Sequence, residues 1–246
     1  MNSSLNRILI LTKRNLKEII RDSISLIFLI GLPLLMEVLF YLIFHNLTSQ
    51  FEMQYLVPGI IVFSQAFLTL FIGLLISIDR STSFLTRLFV SKAKSYEFII
   101  SYILTIVPIV LIQSILFYVV GIIFDVSILK VEILYSILFS LITALFFICL
   151  GILFGSLFNE RSIGGIASII ISGQSILSGM WFPTEGLSGT FVTIMDMLPF
   201  KNATILVQNS LSGNGDLLKP LFIILIYTCF IFIISIKIFK HKMKSR

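Results

Sequence analysis

Charged side chains are scarce in this chain: only 12% of its 246 residues are Asp, Glu, Lys or Arg, whereas about 25% is usual for a soluble domain. Apolar residues instead make up 57% of the chain. The few charges lie in clusters between long apolar runs. This composition excludes a soluble enzyme or a soluble binding domain and is typical of a chain that lies within a lipid bilayer.

Residues that carry chemistry are also few. The only cysteines, Cys149 and Cys229, lack CxxC spacing and lie within apolar runs, so we interpret them as small core residues. The only histidines are His45 and His241. No HExxH, GxSxG or GxxxxGK[ST] motif occurs, which removes the usual zinc-protease site, nucleophile elbow and phosphate cradle. We therefore expect no catalytic residue, no metal site and no cofactor bound by this chain.

Six apolar segments are long enough to cross the hydrocarbon core as helices, which satisfy their own backbone hydrogen bonds. They are residues 24–45, 55–78, 98–124, 133–157, 163–181 and 217–236. The predicted fold is therefore an all-α membrane protein, and residues 1–246 are expected to form a single transmembrane domain.

The basic residues predict the orientation of these spans. Fifteen of the 18 Lys and Arg residues fall on one side of the six-span topology, and the other side has only Lys130, Lys201 and Lys219. Because Lys and Arg are enriched in cytoplasmic loops, both termini are predicted to be cytoplasmic. The net charge of +6 thus reflects membrane topology, and nucleic acid is not an expected partner.

Residues 1–22 have the pattern of an amphipathic helix that lies in the cytoplasmic membrane interface. Its apolar stripe includes Leu5, Leu9 and Leu16, and its opposite, basic face includes Arg7, Arg14 and Lys17. We expect these cations to face the anionic headgroups of membrane lipids. The alternative is a solvated basic leader, which leaves the apolar stripe unexplained.

Two segments between the spans are too apolar for simple connections. The cytoplasmic loop 79–97 is interpreted as a short helix that contacts a partner, with a solvated basic connector as the alternative. Its candidate contact residues are Leu85, Arg87, Leu88, Phe89, Ser91, Lys92 and Lys94. The outer segment 182–216 contains short apolar stretches bounded by Pro and Gly, which predicts a re-entrant hairpin. This hairpin is marked by Trp181, Phe182, Pro183 and Pro199.

Glu37 is the only ionisable residue deep within a predicted span. A charged carboxylate there costs about 2.5–3.5 kcal/mol. Glu37 is therefore either a functional group, lining a translocation path or binding a proton, or a neutral carboxyl hydrogen-bonded inside the bundle. Gln65, Gln113 and Gln174 are also polar residues within spans, with interhelical hydrogen bonding and ligand binding as the two interpretations.

Gly151 and Gly155 have the spacing that allows two membrane helices to approach closely. This spacing predicts packing within the bundle. Contact with a partner subunit is the alternative.

Three short stretches, 150–158, 178–183 and 198–200, resemble the corresponding motifs of ABC-2 type transporter permeases. Residues 87–91 resemble the coupling segment of that family, although Lys92 stands where the family usually has Pro. The resemblance implies the membrane subunit of a bacterial exporter, located in the plasma membrane. It also implies that loop 79–97 contacts a separate ABC-type ATPase, which binds ATP and Mg²⁺, and that two identical or homologous permease copies form the pathway.

The expected function is export of an amphipathic or hydrophobic substrate, such as a drug, an antibiotic, a lipid or a peptide. Two alternatives stay open. One is a proton- or ion-coupled secondary transporter that uses Glu37, although the sequence shows no pair of inverted halves with matching broken helices. The other is a membrane immunity or scaffold protein that transports nothing.

Overall fold

The computed structural model describes residues 3–82, 94–182, 184 and 186–244, and this part of the chain is helical without strands. Its nine helices are α1 (Ser3–Arg21), α2 (Ser23–Phe44), α3 (Met53–Ser81), α4 (Ser95–Phe124), α5 (Glu132–Leu157), α6 (Glu160–Leu177), α7 (Gly189–Met197), α8 (Pro199–Ser212) and α9 (Leu218–Lys244). Five of them, α2 to α5 and α9, are long and apolar enough to span a membrane. The prediction of an all-α membrane protein is confirmed.

The predicted fifth span, 163–181, corresponds to α6. This helix has 18 residues, a length of about 27 Å. It is not among the five long apolar helices, because Glu160, Arg161 and several Ser and Gly residues reduce its apolar character. Its assignment as a span therefore stays a prediction.

The predicted re-entrant hairpin corresponds to α7 and α8, which meet at a bend of 77°. The Nδ2 atom of Asn202 donates to the backbone oxygens of Asp196 (2.8 Å) and Leu198 (2.7 Å) and so ties the two helices together at the bend. Pro199 begins α8, a position where its missing N–H costs no helical hydrogen bond. Bent pairs of this kind occur in broken spans and in re-entrant segments, so the hairpin's place in the membrane stays a prediction.

The helix α3 lies at the centre of the bundle. Of its most apolar stretch, 89% is buried, compared with 17% in α2 and 11% in α9. It packs most extensively against α5 and also contacts α2, α4, α6 and α8. Contacts advance in step along α3 and α5, from Gln65 with Ser140 to Ser77 with Phe158, so the two helices are parallel.

Small residues bring α3 and α5 into close contact. A Cβ atom at Gly155 would lie 2.7 Å from the backbone oxygen of Gly73, and one at Gly151 would lie 2.9 Å from the Cβ of Ile72. At this separation, the hydroxyl of Thr69 donates to the carbonyl of Phe147 on α5 at 3.1 Å. The interpretation of Gly151 and Gly155 as packing residues within the bundle is confirmed.

The substitution Gly155→Ala should destabilise the protein, because its new Cβ would press on the backbone of α3, which cannot rotate away. We expect a loss of about 1–3 kcal/mol, the usual cost of overpacking, measured as a lower thermal unfolding midpoint in detergent micelles. Gly164→Ala is the matched control, since a Cβ there meets nothing within 4 Å. It should be neutral or stabilise by up to about 1 kcal/mol through helix propensity. Equal midpoints for the two variants would contradict the close contact.

Candidate functional site at the basic ends of the helices

Two buried carboxylates stand on either side of the predicted coupling loop. Asp79 lies near the end of α3 and Glu97 near the start of α4, and both residues are 0% exposed. They are at the basic, predicted cytoplasmic, side of the bundle. Because a buried carboxylate is costly without hydrogen bonds or an ionic partner, each of them demands a specific neighbour.

The partner of Asp79 is Arg14 of α1, which makes a bidentate ion pair. Its Nη1 donates to Oδ2 at 2.6 Å and its Nη2 to Oδ1 at 2.5 Å, while the hydroxyl of Tyr102 on α4 donates to Oδ2 at 2.8 Å. Glu18 extends the cluster at 2.8 Å from Arg14. Burial raises the pKa of Glu18 by more than the neighbouring Arg14 lowers it. This cluster joins α1, α3 and α4.

The partner of Glu97 is Arg7, also of α1. The Nε of Arg7 donates to Oε2 at 2.9 Å and its Nη2 to Oε1 at 2.7 Å. The Ser4 hydroxyl also donates to Oε1, and the backbone N–H of Lys94 donates to Oε2 at 3.2 Å. Hydrogen bonding to Glu97 raises the pKa of Arg7, and the carboxylate's charge adds to the effect. The start of α4 is thus tied to the first turns of α1.

These two ion pairs give the basic face of α1 partners that the sequence analysis did not identify. Arg7 and Arg14 lie seven residues apart, about two helical turns, and therefore share one face. The buried carboxylates of Glu97 and Asp79 bind the guanidinium groups of Arg7 and Arg14, which are still 31% and 33% exposed, and their contact with lipid headgroups stays a prediction. Lys17 remains exposed.

The apolar stripe of α1 divides between two surroundings. Ile8, Leu11 and Ile19 are buried in the bundle. By contrast, Leu5 is 51% exposed and Leu9 is 50% exposed, and Leu16 is partly buried. The helix therefore packs on the bundle with one edge and leaves an apolar edge uncovered beside Lys17, as an interfacial helix would.

Most of the predicted coupling residues fall outside the described residues. These are Leu85, Arg87, Leu88, Phe89, Ser91 and Lys92. Lys94 is described: it is exposed just before α4, and its ammonium lies 5.9 Å from the ring centroid of Tyr96. The ends of the predicted loop 79–97 belong to helices, because α3 continues to Ser81 and α4 begins at Ser95.

Three glutamines within the spans are fully buried, and each joins two helices; they are Gln65, Gln113 and Gln174. Gln65 of α3 donates to the Ser140 carbonyl at 2.9 Å and accepts from the Thr143 hydroxyl at 2.7 Å, both on α5. Gln113 of α4 donates to the Ser64 hydroxyl of α3, and Gln174 of α6 to the Thr204 hydroxyl of α8 at 3.0 Å. Interhelical hydrogen bonding is therefore the interpretation that the structure favours for them.

Glu37 differs from the glutamines. It is 0% exposed, and within the described part of the chain neither carboxylate oxygen has a hydrogen-bond partner. Its Oε1 lies 3.6 Å from the position that a Cβ would take at Gly121 of α4. The interpretation of Glu37 as a neutral carboxyl that is hydrogen-bonded inside the bundle is therefore not supported by any hydrogen bond among the described residues.

Trp181 follows α6 and packs against α2 and α3, in the parts of these helices that lie toward the predicted outer side. Its ring centroid is 4.6 Å from that of Phe40 and 5.7 Å from that of Phe63, and its Nε1 donates to the Ser175 hydroxyl at 2.8 Å. Phe182 is partly buried, Pro199 is buried, and Pro183 lies outside the described residues. Trp181 therefore connects the end of α6 to two other helices as well as marking the predicted outer side.

No metal site is apparent among the residues that the structure describes, where no three His, Cys, Asp or Glu side chains cluster closely enough to hold an ion. Cys149 is buried and Cys229 is exposed, and both are free thiols.

Sequence reasoning missed Asp79, Glu97 and Tyr102. A signal for the first two was present, because the chain has only 12 acidic residues and these two flank the same basic loop. The seven-residue spacing of Arg7 and Arg14 was the matching signal on α1. No pattern in the sequence pointed to Tyr102.

In a comparison with known families, the family model described as ABC-2 type transporter matches residues 6–211. The matched region contains both arginine–carboxylate clusters, the α3–α5 contact and the bent pair α7–α8, apart from the last residue of α8. No curated protein matches the chain.

The ion pair with Arg14 predicts that Asp79→Asn loosens α1 from the bundle. Because the Asp79 carboxylate is 1% exposed and Arg14 is 33% exposed, we expect a loss of about 1–3 kcal/mol. Thermal unfolding and the rate of tryptic cleavage after Lys13 and Lys17 measure it. Glu18→Gln is the control, since the Glu18 side chain is 39% exposed, and it should change stability by less than about 0.5 kcal/mol.

A double-mutant cycle identifies the interaction responsible. The double variant Arg14→Gln, Asp79→Asn should lose less stability than the sum of the losses of the two single variants. The reason is that either single change already breaks the ion pair, so the second change has no pair left to break. Strict additivity would show that the two side chains are not coupled.

Proposed function

The chain belongs to the ABC-2 type transporter family and is a membrane permease subunit; from this premise we propose that it exports an amphipathic or hydrophobic substrate, powered by a separate ABC-type ATPase. ATP and Mg²⁺ would be bound by that ATPase, because this chain has no phosphate-binding motif. Family membership favours this function over an ion-driven carrier and over a scaffold.

The observation that carries the proposal is that α1 binds both sides of the predicted coupling loop. Arg14 holds Asp79, four residues before the undescribed stretch 83–93, and Arg7 holds Glu97, four residues after it. A force applied to this stretch therefore reaches α1, α3 and α4 together. Since α3 is the most buried helix, its displacement would move much of the bundle.

The contact with the ATPase is proposed to be an apolar anchor with a charged rim. Leu85, Leu88 and Phe89 would fill a pocket on the ATPase, since buried apolar and aromatic side chains dominate interface energies. The cations Arg87, Lys92 and Lys94 would pair with acidic residues around that pocket, and the small Ser91 would allow close approach. On ATP binding, closure of the ATPases would push on this loop.

A second permease copy, identical or homologous, is proposed to complete the pathway. In support, α2 and α9 bury only 17% and 11% of their most apolar stretches in this chain, which leaves much apolar surface for lipid or for another subunit. The bent pair α7–α8, with Phe182 and Pro183 before it, would close the outer end of the pathway.

The proposed substrate class rests on the lining that the spans offer. The three intramembrane glutamines use their side-chain N–H groups within the bundle, and Glu37 is the single ionisable group deep in a span. A pathway with so few charges suits an apolar or amphipathic cargo better than a multiply charged one.

We place the protein in the bacterial plasma membrane with both termini in the cytoplasm. The support is the positive-inside distribution, in which 15 of the 18 basic residues fall on one side. In this orientation the exposed Lys13, Lys17 and Arg21 of α1 face the headgroups of anionic lipids, while Leu5 and Leu9 reach the acyl chains.

The proposal predicts that Leu88→Asp abolishes capture of the ATPase without affecting membrane insertion. The chain, tagged and expressed in its native cells, is purified in mild detergent, and Mg²⁺-dependent ATP hydrolysis is measured in the eluate. A carboxylate at the apolar anchor should reduce the captured activity at least about tenfold, since a hot-spot residue contributes 2 kcal/mol or more. The control is Leu218→Asp, the same change at a 78% exposed leucine on the predicted outer side.

Two different experimental results would contradict two different parts of the proposal. Equal capture by Leu88→Asp and the wild type would disprove the role of the loop. Cargo movement by the chain alone in vesicles without nucleotide would disprove the dependence on an ATPase.

A further inference from the structure

Glu37 is enclosed by apolar groups on the two helices that face it. Three side chains meet at Gly121 of α4. A Cβ at this glycine would lie 2.6 Å from Cγ2 of Val57 on α3, 2.8 Å from Cδ1 of Ile128 and 3.6 Å from Oε1 of Glu37. A side chain at Gly121 would press on Val57 and Ile128, so a glycine at this position of α4 lets the neighbouring groups come close. Within this small space the carboxyl group of Glu37 lies at van der Waals distance from the surface of α4 and so forms part of the contact between α2 and α4.

No cation within the described residues balances Glu37. The titratable groups on the surrounding elements are engaged elsewhere: Tyr118 of α4 bonds to the Ser136 hydroxyl, Tyr41 to the Phe124 carbonyl, His45 to the Tyr41 carbonyl, and Asp125 accepts from the Ser127 N–H. Glu52 and Tyr55 lie at the outer end of α3, where Glu52 accepts from the Gln54 amide. An isolated carboxylate in such surroundings is strongly disfavoured, whereas the neutral acid is tolerated.

Glu37 lies on a helix that the rest of the bundle encloses only in small part. Only 17% of the most apolar stretch of α2 is buried. The helix also contains a π-turn at Ile27–Gly31 followed by the buried Pro33, and both features weaken the regular hydrogen-bond ladder. The weakened turn lies between the end of α1 and Glu37, so a bend of α2 at this turn would displace the carboxyl group together with the outer part of the helix.

We propose that Glu37 is a proton-binding site whose occupancy decides whether α2 is closed against α4. When the contact is closed, the carboxyl group carries a proton. When α2 moves away from α4, water enters, the O–H bond breaks, the proton leaves to water and the carboxylate remains hydrated. The contact closes again only when Glu37 takes up a proton from water. One cycle of opening and closing therefore releases one proton and takes up one, with no net consumption.

The location of Glu37 decides which aqueous phase controls this site. It lies seven residues before the end of α2 at Phe44, about 10 Å in helical rise, and about twice as far from Ser23. In the proposed orientation, the outer water reaches it first. Acid outside the cell therefore favours the closed contact, and alkaline conditions outside favour the open one. For a permease, this makes outward opening sensitive to external pH.

The test measures the distance between α2 and α4 in the full chain in lipid nanodiscs. Spin labels are placed at Leu39 and Val119, which are 46% and 47% exposed, in a background with Cys149→Ala and Cys229→Ala. As the pH of the buffer is raised from about 5 to about 9, the ratio of long to short distances should rise. One proton limits the change to about tenfold per pH unit.

The variant Glu37→Gln cannot ionise and should keep the short distance at every pH. The matched control Asp125→Asn, which alters another carboxylate near the outer end of α4, should keep the wild-type response. A pH response that persists in Glu37→Gln, or a wild-type distance that does not change with pH, overturns the proposal.

An infrared measurement keeps the proposal testable if Glu37→Gln does not fold. Spectra of the wild type at neutral pH, where exposed carboxyl groups are ionised, should contain the carbonyl stretch of a protonated carboxyl group that disappears in alkaline buffer. In Glu37→Asp the band should persist with a shifted midpoint. A wild type without this band overturns the proposal. Because neither measurement needs ATPase or cargo, their failure is distinct from failure of the proposed export function.

Discussion

The close contact between α3 and α5 organises the helical bundle. Helices in lipid gain little from apolar burial against one another, so they depend on close packing and on hydrogen bonds between them. With hydrogen as the only side chain, Gly155 rests against the backbone of Gly73. The hydroxyl of Thr69 reaches a carbonyl oxygen of α5, and that of Ser77 reaches the carbonyl of Phe158, the residue after α5. At the basic end, Arg80 donates to the Phe158 carbonyl at 2.9 Å just after α5 ends. A parallel contact thus continues from Gln65 to the basic end of both helices, and the other faces of α3 stay available to the remaining helices.

The charges at the basic ends perform a different task, which is to attach a peripheral helix to this bundle. The guanidinium groups of Arg7 and Arg14 reach carboxylates on two different spans, and each pair is bidentate. Such geometry fixes direction as well as distance. The helix α1 therefore follows the ends of α3 and α4 when they move, as a helix held by lipid alone would not. This attachment is what makes the region suited to receive a mechanical input.

Polar groups inside the membrane fall into two classes. The glutamines donate their amide hydrogens to neighbouring helices and so act as fixed links. Glu37 is buried without such links, and it lies on α2, of whose most apolar stretch only 17% is buried. A link stabilises one arrangement, whereas a buried group without a partner stabilises an arrangement only while its proton is bound. The first class explains rigidity around α3, and the second explains how the looser helix α2 could respond to its surroundings.

Hydropathy, the distribution of basic residues and the Gly151–Gly155 spacing were readable in the sequence, because each is a property of one continuous segment. They predicted the spans α2 to α5 and α9, the amphipathic α1, and close helix packing. The tertiary structure decided which partners these segments have: Arg14 finds Asp79 across 65 positions of the chain, and Gly155 packs on Gly73 rather than on another subunit. It also gave Arg7 and Arg14 ionic partners inside the protein, because a buried carboxylate needs a charged or hydrogen-bonding neighbour. Such choices depend on which distant elements meet, and no local pattern contains that information.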